Sequence, residues 1–227
     1  MSQPLSIGAC VNDGWNGFKR NAGVAIVGFL VYLAVAFAGG MIPFFNIVFS
    51  LFIIPALAGG LTILSLNLLR NNSPAVGNIF RGFQKYSSFL GAYWLLLLIA
   101  LVCLIPVGIG YLIRELSGSD ALAALVILGI VSAIILIVVM LRWCMVYYLI
   151  ADGSAVMPAF RESARITKGY RWTIFLLGIV NALIMILGVL ALVVGYFVAA
   201  PVVMVAYASA YERLKGFAAS AVRAPIQ

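Results

Sequence analysis

The sequence predicts an all-α membrane protein with six transmembrane helices, built as three repeats of one interfacial amphipathic helix followed by two spans. Three observations lead to this prediction. First, 65% of the 227 residues are hydrophobic and only 9% are charged, whereas a soluble domain is about 25% charged. Second, long apolar runs alternate with short polar segments. Third, the basic residues gather in alternate polar segments. A soluble fold could not bury so much apolar surface, so we expect a single membrane domain over residues 1–227.

The first predicted repeat begins with an interfacial helix over residues 1–21. Its apolar residues recur at helical spacing, and Trp15 is placed to anchor it among lipid headgroups. A frayed polar tail is the alternative interpretation of this segment. Two apolar runs follow, at about 22–41 and 47–69. Each has the roughly 20 residues that cross a hydrocarbon core about 30 Å thick.

The second predicted repeat has its interfacial helix at about residues 74–86. Ser73 is a favourable N-cap, and a proline follows it at the first helical position. The two spans are predicted at about 89–113 and 121–141. The second of these is expected to end before Arg142, because a charge in the middle of a bilayer costs about 3 kcal/mol.

The third predicted repeat has its interfacial helix at about residues 154–168. This segment carries an apolar face beside a basic face, and Gly169 is placed to end the helix. The last two spans are expected at about 172–194 and 197–212. Matching residues at like positions of the three units favour an internal repeat, with coincidence among apolar segments as the alternative.

The distribution of lysine and arginine predicts the orientation. With a cytoplasmic N-terminus, every lysine and arginine except Arg114 falls on the cytoplasmic side, as the positive-inside rule requires. Both termini are therefore expected in the cytoplasm, in a multi-pass protein of the cell inner (cytoplasmic) membrane. Because topology accounts for the net charge of +8, a nucleic-acid partner is not expected.

Membrane lipids are the expected partners of the basic residues on the interfacial helices, since these side chains face anionic headgroups. A homo-oligomer or a membrane protein partner is a further expectation for the same surface. The predicted headgroup-contacting residues are Lys19, Arg20, Arg81, Lys85, Arg161, Arg165 and Lys168.

Polar residues inside the predicted spans are few and uncharged. Ser132 and Asn181 lie near the middle of two spans. They are interpreted either as interhelical hydrogen-bonding groups or as the lining of a polar pathway. Near the third interfacial helix, a structural ion-pair cluster of Arg142, Asp152 and Glu162 is the other candidate site, with pairing of Glu162 to a basic residue one turn away as an alternative.

Nothing in the sequence predicts a reaction, a metal or a cofactor. The chain has no histidine and three isolated cysteines, so neither a zinc site nor a disulfide framework is expected. No serine has a histidine base, and the predicted spans contain no acid–base pair. The protein is therefore not expected to be an enzyme.

The segment LIADGSAVMPAFRESARITKGYRWTIFLLGIV, followed by a Gly-Tyr turn and APVVMVAYASAYERL, resembles a group of uncharacterised bacterial six-span membrane proteins. It is similar to the membrane domain fused to some glycerophosphodiester phosphodiesterases. The resemblance covers roughly residues 70–214 and implies the six-span fold. It implies no phosphodiesterase activity, because the catalytic domain has no counterpart here. The matching residues are Asp152, Ser163, Lys168, Gly169, Pro201 and Tyr211.

These observations lead to two functional hypotheses. The first is a non-enzymatic integral membrane protein that organises lipid or a partner protein at the cytoplasmic face. The alternative is an oligomeric conduit or transporter for a small solute or lipid, with Ser132 and Asn181 facing its path.

Overall fold

The computed structural model describes residues 5–42, 45–117, 122–191 and 194–223, and within these ranges it is helical and contains no β-strand. The predicted all-α class is therefore confirmed. Besides a π-helical segment, Phe49–Ile53, and a 3₁₀ helix, Val76–Lys85, the structure contains α1 (Ile7–Arg20), α2 (Ala22–Gly40), α3 (Phe45–Val48), α4 (Ile54–Arg70), α5 (Tyr86–Cys103), α6 (Ile105–Ser117), α7 (Leu122–Trp143), α8 (Val146–Ala151), α9 (Val156–Ile166), α10 (Arg171–Leu190) and α11 (Val194–Arg223).

Several of these helical segments are long and apolar enough to cross a membrane, which supports the predicted membrane class. Four segments meet this criterion. The helices Phe45–Phe52 and Ile54–Arg70, which are bent by 40° relative to each other, add a fifth segment if they form one span. Four or five such segments among the described residues are fewer than the predicted six, because the run at 197–212 does not stand among them. The four are Ala22–Gly40, Val76–Glu115, Leu125–Ala151 and Arg171–Leu190.

Prolines explain two departures from the expected straight spans. Pro106 cannot donate a backbone hydrogen bond, and the predicted span at 89–113 is divided into α5 and α6 at Leu104. Pro55 has the same effect on the predicted span at 47–69, where a π-helical segment precedes α4. Residues 43–44, between the first two predicted spans, and 118–121, before the fourth predicted span, lie outside the described residues.

The C-terminal helix α11 lies at the centre of the bundle, where α1, α2, α4 and α10 pack against it. Its core-facing residues are mostly small, so neighbouring helices approach closely. A Cβ atom added at Gly14 of α1 would lie 2.7 Å from the carbonyl oxygen of Val202. The segment predicted as a purely interfacial helix at 1–21 is therefore also packed on protein, through its buried residues Cys10, Gly14, Gly17 and Phe18.

The 3₁₀ helix, where an interfacial helix was predicted at 74–86, packs on α4 through backbone contacts. A Cβ atom added at Gly60 would overlap the carbonyl oxygen of Ile79, and one added at Gly82 would overlap that of Ala56. Only glycine leaves room for such an approach. This contact holds the following helix α5 beside α4.

The hairpin of α6 and α7 is the least buried part of the bundle. The two helices contact each other where Gly110 meets Leu125, and α7 has fewer contacts with the remaining helices. Ile127, Ile130 and Ile134 of α7 are more than half exposed. In a membrane protein, apolar faces of this kind meet acyl chains.

Candidate functional site

One end of the bundle collects most of the polar and basic side chains, and we call it the basic end. Asn21 Nδ2 donates a hydrogen bond to Asn71 Oδ1 (3.2 Å), which joins the start of α2 to the end of α4. Lys85 Nζ lies 2.7 Å from the carbonyl oxygen of Ala151 and 3.2 Å from that of Ile150. The segments linked in this way, together with the α9 and α11 residues below, define the basic end.

Lys85 differs from its predicted role as a headgroup contact. Its ammonium group is bound to the last carbonyl oxygens of α8 (Val146–Ala151). Those oxygens have no partner inside the helix, and a cation is favourable there. Lys85 therefore fastens the 3₁₀ helix to α8.

Asp152 is the centre of the largest charged cluster at the basic end. Its side chain is only 13% exposed and lies 2.9 Å from Arg70 Nη1. Lys215 Nζ and Tyr211 Oη donate to its Oδ2 atom at 2.6 Å and 2.8 Å. Arg70 Nε also donates to Glu212 Oε1 at 2.6 Å. We call these five residues the Asp152 cluster, and it joins α4, the turn after α8, and α11.

The hydrogen bonds of the Asp152 cluster determine the protonation of its central carboxyl group. Burial alone would raise the pKa of Asp152, but hydrogen bonds from Arg70, Lys215 and Tyr211 outweigh this effect. They lower its pKa from 3.8 to about 2. The carboxylate is ionised at neutral pH and is occupied by its three donors, so its role here is structural.

A second ion pair fastens α1 to α11. Asp13 Oδ2 accepts hydrogen bonds from Ser209 Oγ at 2.6 Å and from Arg213 Nη2 at 2.7 Å. Burial would raise the pKa of Asp13, but the two donors prevail and lower it. The sequence alone did not predict this ion pair, because its two residues are 200 positions apart.

The structure does not bring the predicted cluster of Arg142, Asp152 and Glu162 together. Asp152 pairs as described above, and Glu162 pairs with Arg165 at 2.7 Å, which is the alternative considered from the sequence. The guanidinium of Arg142 lies over the Trp143 ring, 5.6 Å from its centroid. Its carbonyl oxygen accepts from Ser163 Oγ at 3.0 Å, so Arg142 positions α9 through its backbone.

The other predicted headgroup-contacting residues are exposed at the basic end. Lys19 lies 5.1 Å from the Trp15 ring centroid, and Arg20 Nε donates to the Asn16 carbonyl oxygen at 3.3 Å. Arg165 keeps its pairing with Glu162. Within the described ranges, no acidic side chain pairs with the three remaining residues, which are Arg81, Arg161 and Lys168.

Ser132 and Asn181, the predicted pathway residues, are each only 2% exposed. The hydroxyl oxygen of Ser132 and both amide atoms of Asn181 have no hydrogen-bond partner among the described residues. Neither residue lines the cavities described below. The structure therefore leaves these polar groups unsatisfied inside the protein and does not connect them by a visible path.

An apolar cleft lies between α7 and α10 near the basic end, and the sequence analysis did not identify it. Its volume is about 410 Å³, and Arg171 is the only charged residue among the described ones that line it. The Nε atom of Arg171 is buried and has no hydrogen-bond partner in the described part of the chain. The cleft is lined by Ile134, Ile137, Val138, Leu141, Arg171, Trp172 and Phe175.

Metal-binding side chains do not gather anywhere in the described ranges. No group of three or more histidine, cysteine or acidic residues there is arranged to hold an ion. Cys10, Cys103 and Cys144 are free thiols.

Comparison with known sequences identifies one family. Residues 19–218 match the family described as protein of unknown function (DUF975). The match carries no link to glycerophosphodiester phosphodiesterases. Neither curated proteins nor solved structures gave a match.

Proposed function

The chain belongs to the DUF975 family of proteins of unknown function, and we propose that it is a non-enzymatic membrane protein that gathers anionic lipids through its basic end. A partner protein with an acidic surface would use the same side chains. The observation that carries the proposal is the exposure of Arg161 on α9 and of Lys168 just after its end, without an acidic partner among the described residues.

The shape of α9 supports this function. Phe160 and Ile166 face the protein core, at 6% and 3% exposure, whereas Met157 is 60% exposed. A helix with one face packed on protein and basic side chains on another face is suited to the headgroup region. Hydrogen bonds to the carbonyl oxygen of Arg142 keep α9 in this position.

A cavity beside α9 also supports the proposal. Arg165 and Lys168 border a cavity of about 320 Å³, where Ile166 and Leu214 provide apolar walls. Lipid headgroups combine a charged phosphate with an apolar glycerol and chain region, so they match this mixture of charge and apolar surface.

The topology proposed with this function places the basic end in the cytoplasm. Both termini then lie on that side, Arg114 lies on the other, and α11 provides the sixth crossing at 197–212. The three predicted repeats and residence in the cell inner membrane belong to this proposal. The positive-inside rule is its support.

The experiment compares lipid selectivity in bilayers with spin-labelled phosphatidylglycerol and phosphatidylcholine. Replacing Arg161, Arg165 and Lys168 with glutamine is expected to lower the preference for phosphatidylglycerol at least about fivefold, since each basic residue near a surface contributes about 1 kcal/mol. Arg114→Gln is the control, because it removes a charge from the opposite end. An unchanged preference in the triple variant would contradict the proposal.

An oligomeric conduit for a small solute or lipid is the second proposed function. It is favoured by the buried and unpartnered polar atoms of Ser132 and Asn181, because such groups in membrane proteins often mark pathways. In this account Asn181→Leu abolishes solute flux through reconstituted vesicles, while Ser220→Ala leaves it unchanged. Vesicles of wild-type protein that show no flux above protein-free vesicles exclude the conduit.

A further inference from the structure

We propose that the cleft between α7 and α10 holds one anionic diacyl phospholipid, with its phosphate on Arg171 and an acyl chain between the two helices. This inference rests on the proposed function, since it gives a defined site to one of the lipids that the basic end gathers. It differs from that function in a testable respect, because one site binds one lipid and saturates.

The walls of the cleft suit an acyl chain. They are apolar from Ile134 to Leu141 on α7, a distance of roughly 10 Å along a helix axis that rises 1.5 Å per residue. Phe175 covers the facing side on α10. The cleft volume of about 410 Å³ is within the range of roughly 300–1,000 Å³ that is usual for sites of small ligands.

A second cavity adjoins the cleft and provides space for the second acyl chain of the lipid. Its volume is about 340 Å³, and it shares Leu141 and Phe175 with the first cleft. Gly178 lines it, and a Cβ atom added there would lie 3.4 Å from the hydroxyl oxygen of Tyr207 on α11, which also lines the cavity. Two apolar cavities that meet at shared residues match the two chains of a diacyl lipid better than a single-chain ligand.

Arg171 provides the recognition of charge. Its guanidinium group presents five N–H donors in a planar fork, which matches phosphate oxygens. The Nε atom is buried without a hydrogen-bond partner, and no acidic side chain pairs with Arg171 among the described residues. A buried donor of this kind is costly unless an acceptor binds it. A phosphate at the mouth of the cleft supplies that acceptor.

The charge balance selects an anionic lipid over a zwitterionic one. Among the described residues, Arg171 is the only charged one that lines the cleft. A zwitterionic headgroup would bring its own cation to this positive site, whereas phosphatidylglycerol brings only the negative charge of its phosphate. Trp172 at the same mouth is 78% exposed, and tryptophan is favourable at the level of the headgroups.

The test is a titration of the full-length protein in mild detergent with phosphatidylglycerol or phosphatidylcholine, followed by native mass spectrometry. Wild-type protein is expected to bind one phosphatidylglycerol molecule with saturation, and at least about tenfold more tightly than phosphatidylcholine. Arg171→Gln is expected to bring the two lipids to equal affinity. Val138→Trp is expected to abolish saturable binding by filling the cleft.

Two matched variants separate this site from general effects. Ile135→Trp places the same indole side chain on α7 outside the residues that line the cleft, and Arg161→Gln removes a basic side chain from α9. Both are expected to keep the one-lipid complex. If Arg171→Gln and Val138→Trp also keep it with unchanged selectivity, the inference is wrong. If the preference of the one-lipid complex for phosphatidylglycerol requires Arg171 but the α9 variants show no loss of bilayer selectivity, the proposed function fails and this site remains.

Discussion

Two sets of basic side chains at the basic end differ in their surroundings. Around α11, Arg70, Arg213 and Lys215 each lie within 3 Å of a carboxylate oxygen. Arg161 on α9 and Lys168 just after its end are exposed and form no ion pair within the described ranges. The first set joins helices, whereas the second remains available to an anionic ligand. The net charge of +8 therefore combines two separate physical roles.

The largest expected effect is the loss of the Asp152 cluster. Asp152→Ala leaves Arg70 and Lys215 without their shared carboxylate, so we expect a loss of about 2 kcal/mol in the free energy of unfolding. Thermal unfolding in detergent measures this loss of stability. Arg161→Ala is the matched substitution on α9, with an expected change within about 0.5 kcal/mol. Equal losses in the two variants would remove the distinction between the two sets.

Acid should weaken the same cluster. The lowered pKa of Asp152 means that its contribution to stability is present above pH 3.8 and is lost as the pH falls toward about 2. Unfolding measured across this interval should therefore show a decline in the wild-type protein. The Asp152→Asn variant should lack the part of the decline that protonation of Asp152 causes. A parallel decline in both proteins would show that other groups cause the loss of stability.

A smaller effect is expected at the ion pair between α1 and α11. Asp13→Asn weakens the contact with Arg213, whose side chain is 33% exposed, so about 1 kcal/mol is expected. Hydrogen exchange should become faster in α1 and remain unchanged in α9. Protection of α1 equal to that of the wild type would show that its glycine contacts with α11 suffice.

The smallest effect concerns the contact of Lys85 with the end of α8. Lys85→Gln keeps a hydrogen-bond donor but removes the charge, and about 0.5 kcal/mol of stability should be lost. Arg81→Gln, on the same 3₁₀ helix but exposed, should leave stability unchanged. The thermal unfolding midpoints of the two variants measure these changes in stability. A larger shift for Arg81→Gln than for Lys85→Gln would contradict the stabilising role of the Lys85 contact.

The sequence reveals parts of this fold that depend on local pattern. Apolar length predicts α2 and α10, whereas the predicted span at 89–113 does not include the break before Pro106, which lacks an N–H donor. The apolar pattern of the sequence does not reveal which helix lies at the centre of the bundle. The run at 197–212 resembles the other apolar runs, but its alanines are buried in α11, which packs against α1, α2, α4 and α10.

The candidate site was harder to predict because its contacts are long-range. Asp152 is 82 positions from Arg70 and 63 from Lys215, so charge alone could not choose between these partners and Arg142. Arg70 directly after an apolar run and Tyr211 near the end of another were the available signals. The cleft at Arg171 depends on how far α7 and α10 separate, which composition does not encode.

The central claim is that exposed side chains of α9 select anionic lipid by charge. Its most direct test is the salt dependence of the preference for spin-labelled phosphatidylglycerol in wild-type protein and in the Arg161, Arg165 and Lys168 to glutamine variant. The account predicts a wild-type preference that falls as salt screens surface charge, since the Debye length shortens to about 3 Å at 1 M, and a variant whose weak preference is insensitive to salt. Identical salt curves for the two proteins would contradict it.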